Sequence, residues 1–208
     1  MKKSLILVAS SIEYDYLKDL SKEIFQIGCG IVEAGLGSFE ILSKNPCCKL
    51  VVLAGIGGAY PGSGLLPGDI ALAYREIWVD FGRRYKTHYT DLPTGVTSCS
   101  IEKLSLRYTE KAFSVLLEKG FRVEAGNFAT VCACSYDKKI AEFFFKRFEV
   151  IVENMEGFAV ARVCQKLGIP LIEVRAISNI IAENRAFWKV DKALKALKEA
   201  LRCLLKNL

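Results

Sequence analysis

The apolar positions along this chain follow two patterns. Short, largely unbroken apolar runs cover residues 5–9, 49–54, 69–74, 127–133, 150–152 and 171–176. Runs that do not alternate with polar residues suit strands buried on both faces. Between them lie stretches with helical spacing at 13–23, 38–44, 102–118, 137–146, 155–167 and 189–205. Gly120 and Gly168 stand where helix C-caps belong, and Pro170 follows the second. Strands interleaved with helices predict an α/β fold around a mostly parallel or mixed sheet. Ligands of such sheets bind beyond the carboxyl ends of the strands, so candidate chemistry belongs just after the apolar runs.

Composition narrows the picture. The 208 residues suit a single domain spanning 1–208. No apolar run approaches the roughly 18 to 20 residues of a membrane span. The apolar run after Met1-Lys2-Lys3 is short and soon meets Glu13 and Asp15, which marks it as a first buried strand and the protein as cytoplasmic. Eight cysteines with no C-x-x-C pair, beside one histidine (His88), offer no zinc set; they read as small buried hydrophobes in a reducing compartment. The net charge of +6 is spread out, and the lysines of 189–206 fall opposite leucines and alanines, as on a solvated helix face. Nucleic acid and membrane are therefore not expected partners.

Four stretches sit at strand ends. In Ala9-Ser10-Ser11-Ile12-Glu13 a serine can cap a helix with an acid in its first turn. In Gly55-Ile56-Gly57-Gly58 three glycines in four positions follow a strand. That is a turn, or a place where backbone approaches a ligand; it matches neither a P-loop nor G-x-G-x-x-G. Val152-Glu153-Asn154-Met155-Glu156-Gly157 puts two carboxylates between two buried elements. Glu156 suits a helix N-terminus, and a carboxylate also accepts from two hydroxyls at once, as a ribose diol would offer. In Val174-Arg175-Ala176-Ile177-Ser178-Asn179 an arginine inside an apolar run requires a carboxylate partner, with Glu13 and Glu156 as candidates.

Taken in order, these stretches resemble the purine nucleoside phosphorylase and nucleosidase superfamily over nearly the whole chain. Gly55-Ile56-Gly57-Gly58 with Leu66-Pro67-Gly68-Asp69-Ile70 looks like its glycine loop and following strand start. Glu153-Asn154-Met155-Glu156 looks like its E-x-M-E signature, and Arg175-Ala176-Ile177-Ser178-Asn179 like its R-x-I-S-D/N signature. The resemblance implies a three-layer α/β/α sandwich around a twisted mixed sheet. It implies that Glu156 binds ribose hydroxyls, that Met155 packs on the sugar and that Ile56, Gly57 and Gly58 line ribose and base. It gives Glu13 the task of activating water, with Arg175 orienting acidic groups beside it. Asn179 would contact the purine, supported by Ser178, and Cys134, Ser135 and Tyr136 match a base-contacting loop in which Tyr136 could stack. It calls for no metal or organic cofactor, and it implies a homodimer or larger homo-oligomer.

Two choices remain within that superfamily. Glu13 without an arginine in the first loop favours water over phosphate, because a carboxylate repels a dianion and polarises water. Asn179, where adenine-specific nucleosidases carry an aspartate, cannot deliver a proton to N7 but can donate to a 6-oxopurine. Asn179 through Val190 and on to Ala193-Leu194 also resembles the C-terminal motif of futalosine hydrolases, which release hypoxanthine in menaquinone biosynthesis. Hydrolysis of futalosine is the expectation. The rivals are a methylthioadenosine/S-adenosylhomocysteine or aminodeoxyfutalosine nucleosidase, a purine nucleoside phosphorylase, and a nucleoside-binding protein without turnover.

Overall fold

The structure, a computed structural model, describes residues 3–92 and 101–207. In chain order the elements are β1 (Lys3–Val8), α1 (Ser11–Leu17), β2 (Ile24–Gln26), α2 (Ile31–Ser43), β3 (Cys48–Ala59), β4 (Ile70–Trp78), β5 (Arg83–Arg84), β6 (Tyr89–Thr90), β7 (Ile101–Lys103), α3 (Leu106–Glu118), β8 (Val123–Thr130), α4 (Lys138–Phe148), β9 (Val150–Asn154), α5 (Gly157–Leu167), β10 (Leu171–Ile180), a 3-10 turn (Arg185–Phe187) and α6 (Val190–Asn207).

The unalternating runs are strands covered on both faces, as expected. Ile6 and Val8 of β1, Val52 and Ala54 of β3, and Ile172 and Val174 of β10 pack with Leu17 of α1, Ala112 and Leu116 of α3, and Ala193, Leu197 and Leu201 of α6. Their neighbours Leu5, Leu7, Val51, Leu53 and Leu171 point the other way, onto Ala34 and Leu42 of α2 and Val160 and Cys164 of α5. Helix α6 keeps its lysines outward and buries Ala193, Leu194, Leu197, Ala200, Leu201 and Leu204. Gly168 closes α5 in the left-handed conformation (φ 68°), which costs a glycine nothing. No helix among the described residues is long and apolar enough to cross a membrane.

The sheet is mixed, in the order β10-β4-β8-β9-β3-β1-β2 with β7 on β4, while β5 and β6 form a separate two-stranded ribbon. It curls until β10 also pairs with β3, from Leu171 opposite Val51 to Ile180 opposite Ala59. Strands β3, β10, β4, β8 and β9 therefore close into a ring, from which β1 and β2 extend.

Several boundaries differ from the sequence reading. The glycine stretch 55–58 is not a turn after a strand but the second half of β3. Helix α1 stops at Leu17 instead of residue 23, and 24–26 is the short strand β2. Residues 102 and 103, read as a helix start, belong with Ile101 to a strand that pairs with β4, because Arg75, Glu76 and Ile77 offer them a ladder. The cysteines are not uniformly buried: Cys48 and Cys164 are, but Cys29, Cys47, Cys132 and Cys134 are exposed. Most of the exposed ones lie in connections between elements, where backbone geometry leaves side chains in water.

Candidate active site

The carboxyl ends of β1, β3, β9 and β10 converge on one cluster of buried charge. Ser10 caps α1, and its hydroxyl oxygen accepts the Glu13 backbone N–H. The Glu13 carboxylate reaches back, its Oε2 accepting from the Ser10 N–H (2.9 Å) and Ser10 Oγ (2.8 Å). The helix-cap reading of this stretch is thus realised. Glu13 has a second bond that a cap does not need. Its Oε1 accepts from the Ile56 N–H of β3 at 2.9 Å, and the side chain is buried.

Arg175 is fully buried on β10. Its Nε donates to Glu173 Oε1 (2.9 Å), one Nη to the Ile56 carbonyl (3.3 Å) and the other to Glu156 Oε2 (3.4 Å). Of the two partners expected from sequence, Glu156 binds directly. Glu13 acts through its field, which with those of Glu173 and Glu156 holds the guanidinium well above its ordinary pKa. Sequence reasoning missed Glu173. The signal was present, since residues two apart on a strand share a face.

The glycines of β3 make this packing possible. A Cβ on Gly55 would fall within 3.0 Å of both the Arg175 guanidinium and Glu13 Oε1. One on Gly57 would meet Val152, and one on Gly58 would sit 3.0 Å from Ile181 and 3.2 Å from Asn179 Nδ2. Each glycine marks a side chain crossing close over the strand.

Glu156 precedes the first turn of α5. Its backbone N–H and that of Gly157 donate to Asn154 Oδ1 (2.9 and 2.7 Å), which fixes the start of the helix. Its Oε1 accepts from the Gly30 N–H at 3.1 Å, so the β2–α2 connection closes over it. The position of Gly30 there had no signal in the sequence. These contacts are long, and the carboxylate retains lone pairs for other donors. Glu153 has a different task. Its Oε2 accepts from Tyr60 Oη (3.0 Å) and its Oε1 from the Ser135 N–H (2.8 Å), tying β9 to the 131–137 segment. Burial pushes its carboxyl up, and these donors pull it back.

At the other end of the cluster a bulge in β10 between Ile177 and Asn179 re-aims the chain. Ser178 Oγ lies 2.7 Å from Asn179 Oδ1 and 3.2 Å from the Gly57 carbonyl. The nearer contact takes its proton, and with Oδ1 held the amide presents Nδ2 as a donor. Asn179 borders a cleft of about 300 Å³ with Gly58, Cys134, Ser135, Tyr136, Glu153, Arg185 and Trp188. Glu13, Ile56, Gly57, Met155, Glu156, Arg175 and Ser178 do not wall this cleft. Of these, Ser178 bonds to Asn179, and Met155 lies against Cys134, whose sulfur is 3.7 Å from its own. Tyr136 is 72% exposed at the rim, so the structure leaves it without a packed partner plane. A cleft of similar size by Lys103, Cys164 and Pro170 lies away from all these groups, and no carboxylate lines it among the described residues.

The arrangement offers a hydrogen-bonded carboxylate beside a guanidinium, a second carboxylate with spare acceptor capacity, and an amide donor at a cleft. The first can polarise a water, the second hold a diol, and the third hold a carbonyl.

Comparison with known proteins gives the chain's family. Residues 17–208 match the family model described as the phosphorylase superfamily. The futalosine hydrolase of Thermus thermophilus is 30% identical over 198 residues, covering 91% of this chain and 83% of that one. Among solved structures, the native futalosine hydrolase of Helicobacter pylori superposes with a TM-score of 0.87 at 20% identity, over 100% of this chain and 99% of that chain. The 5'-methylthioadenosine/S-adenosylhomocysteine nucleosidase of the same organism gives 0.88 at 20% identity with the same coverage.

Proposed function

The chain belongs to the phosphorylase superfamily as one of its nucleosidases, and from that premise we propose that it hydrolyses the N-glycosidic bond of futalosine, releasing hypoxanthine for a role in menaquinone biosynthesis. The observation that carries this reading is Glu13 Oε1 beside the Arg175 guanidinium over Gly55, with Glu156 on the other side of the same guanidinium.

In this reading Glu13 Oε1 keeps a lone pair for water after accepting from Ile56, and it takes the proton as water attacks the anomeric carbon. Glu156 accepts from the ribose hydroxyls, and its pull strengthens as the sugar becomes cationic. Met155 packs on the sugar, and the backbone of Ile56, Gly57 and Gly58 lies along ribose and base. The bond to the base breaks with its electron pair, which the purine carries away while Asn179 Nδ2 holds it. A phosphate dianion fits poorly, because the carboxylates of Glu173 and Glu156 already engage Arg175 and Glu13 repels an anion. Assembly as a homo-oligomer belongs to the proposal too; Val32, Leu36 and Phe39 stand exposed at i, i+4, i+7 on one face of α2.

The test is incubation with futalosine, inosine, aminodeoxyfutalosine and methylthioadenosine in phosphate-free buffer, with free base measured by chromatography. Hypoxanthine from futalosine is the expected product. Adenine from either adenine nucleoside, with futalosine intact, would make this an adenine-type enzyme, and release that waits for phosphate would make it a phosphorylase.

Asn179→Asp probes the base. It exchanges a neutral donor for a carboxylate that repels N7 and O6 of a 6-oxopurine. The expected result is a kcat/KM for futalosine lower by about tenfold or more, with relative gain on aminodeoxyfutalosine. Unchanged preference would remove Asn179 from base recognition.

A further inference from the structure

A second pair of carboxyls lies behind Arg175, outside the mechanism above. Glu173 gives one oxygen to Arg175 Nε. Its other oxygen, Oε2, is buried and meets no N–H or O–H donor. What it meets is Glu76 of β4. A Cβ on Gly157 would fall within 3.0 Å of both Glu76 Oε1 and Glu173 Oε2, so the two carboxyls close on the same point at the start of α5. Both residues are fully buried.

Two carboxylate oxygens do not face each other in a dry interior without a proton between them. The surroundings say which group holds it. Glu173 is charge-paired with Arg175, whereas Glu76 receives neutral donors, Asn154 Nδ2 on Oε1 and Thr130 Oγ1 on Oε2, both at 2.6 Å. The anion belongs on Glu173 and the proton on Glu76. The nearby charges are Arg175 on β10 and Glu156 at the start of α5; Glu102, opposite Glu76 on β7, is ion-paired with Arg162 of α5.

We propose that Glu76 is a positioning residue that acts as a neutral acid, donating its proton to Glu173 so that Glu173 holds Arg175 in line with Glu13 and Glu156. Its reach extends to the sugar side as well. Asn154, which donates to Glu76, accepts from the backbone N–H of Glu156, and Thr130 accepts from the Phe158 N–H at 2.8 Å. One proton thus ties the arginine of β10 to the glutamate before α5. Burial pushes Glu76 well above the ordinary carboxylate range, and the charge on Glu173 adds to that; Arg175 works against burial at Glu173.

The readout in kcat rests on the nucleosidase reading, and the spectroscopic one does not. The infrared spectrum of the wild-type protein at neutral pH is expected to contain the C=O stretch of a buried carboxylic acid, absent from Glu76→Gln. Glu76→Gln keeps a donor to Glu173 but gives up the Oε1 acceptor of Asn154 Nδ2, and is expected to lose less than about tenfold in kcat, whereas Glu76→Ala loses about 30-fold in kcat with little change in KM, the scale of one lost hydrogen bond to a charged group. If Glu76→Ala does not fold, the band and Glu76→Gln decide. A wild-type spectrum without the band, or a Glu76→Gln enzyme impaired beyond tenfold, overturns the proposal. A wild type that shows the band but hydrolyses no nucleoside sinks the functional reading and leaves the shared proton standing.

Discussion

Replacing Glu13 with Gln is expected to lower kcat on futalosine by about 1,000-fold, within the range a positioned general base supplies, while KM stays within a few-fold. The substitution suits the question because of the cap it preserves. Glutamine serves at the third position of a capping box as well as glutamate, so the Ser10 contacts and the start of α1 persist. The amide has one acceptor oxygen, so the oxygen that keeps the Ser10 N–H turns the NH2 toward the Ile56 N–H, which loses its acceptor at a cost of about 1 kcal/mol. What disappears is the proposed base, one negative charge beside Arg175 and that acceptor. Circular dichroism should match wild type, Tm should fall by only a few degrees, and single-turnover measurement should show substrate bound but not cleaved. A variant that turns over at the wild-type rate would place water activation elsewhere.

Removing the cation has the opposite profile. Arg175→Ala leaves Glu13, Glu156 and Glu173 buried without their guanidinium. Breaking a buried ion pair from one side costs about 3–5 kcal/mol, which for a domain of this size lowers Tm by about 10 °C at pH 8. The deficit should shrink as pH falls. Burial already raises the Glu173 carboxyl and Arg175 works against that, so without Arg175 its folded-state pKa rises further above its unfolded value. Its share of stability is then present below the ordinary carboxylate range and is lost as pH rises through the raised value. Melting curves of variant and wild type from pH 5 to 8 should therefore diverge with increasing pH. Parallel curves would mean that Glu173 takes up no proton when Arg175 is lost. Activity should be lost at every pH, and Arg175→Lys should not restore it, because one ammonium cannot serve Glu173, Ile56 and Glu156 in three directions.

How much of this was legible beforehand depended on the length and polarity of each segment. Strands β1, β3 and β10 carry long apolar runs, and their cores were plain from the pattern. Ser10, Glu13, Glu156 and Arg175 stood out because charge or capping chemistry broke an apolar context. The glycines of β3 gave the wrong local answer for a physical reason. They weaken strand propensity, and what holds 55–58 extended is pairing with β10 along its whole length, which a local pattern does not carry. The apolar run of β4 stops at Tyr74, where Arg75 and Glu76 follow, and this hides Glu76 within the strand. A charged residue inside a strand reads as its end until the partners that bury it are known. Strand β2 has three residues, too few for any periodicity to register.

The closed ring of strands has one more consequence. Because β10 is bonded on one edge to β3 and on the other to β4, Arg175 cannot shift against Gly55 without tearing two ladders at once. Past Ile180 the chain leaves the ring, and residues 183–187 run exposed along the wall of the cleft. The molecule thus divides into a chassis and a trim. Mutation in the chassis strikes the reaction itself. On the proposed reading, mutation in the trim redraws the outline of an acceptable base without disturbing the sugar or the water, so one such scaffold can pass through changes of substrate while its chemistry stands still.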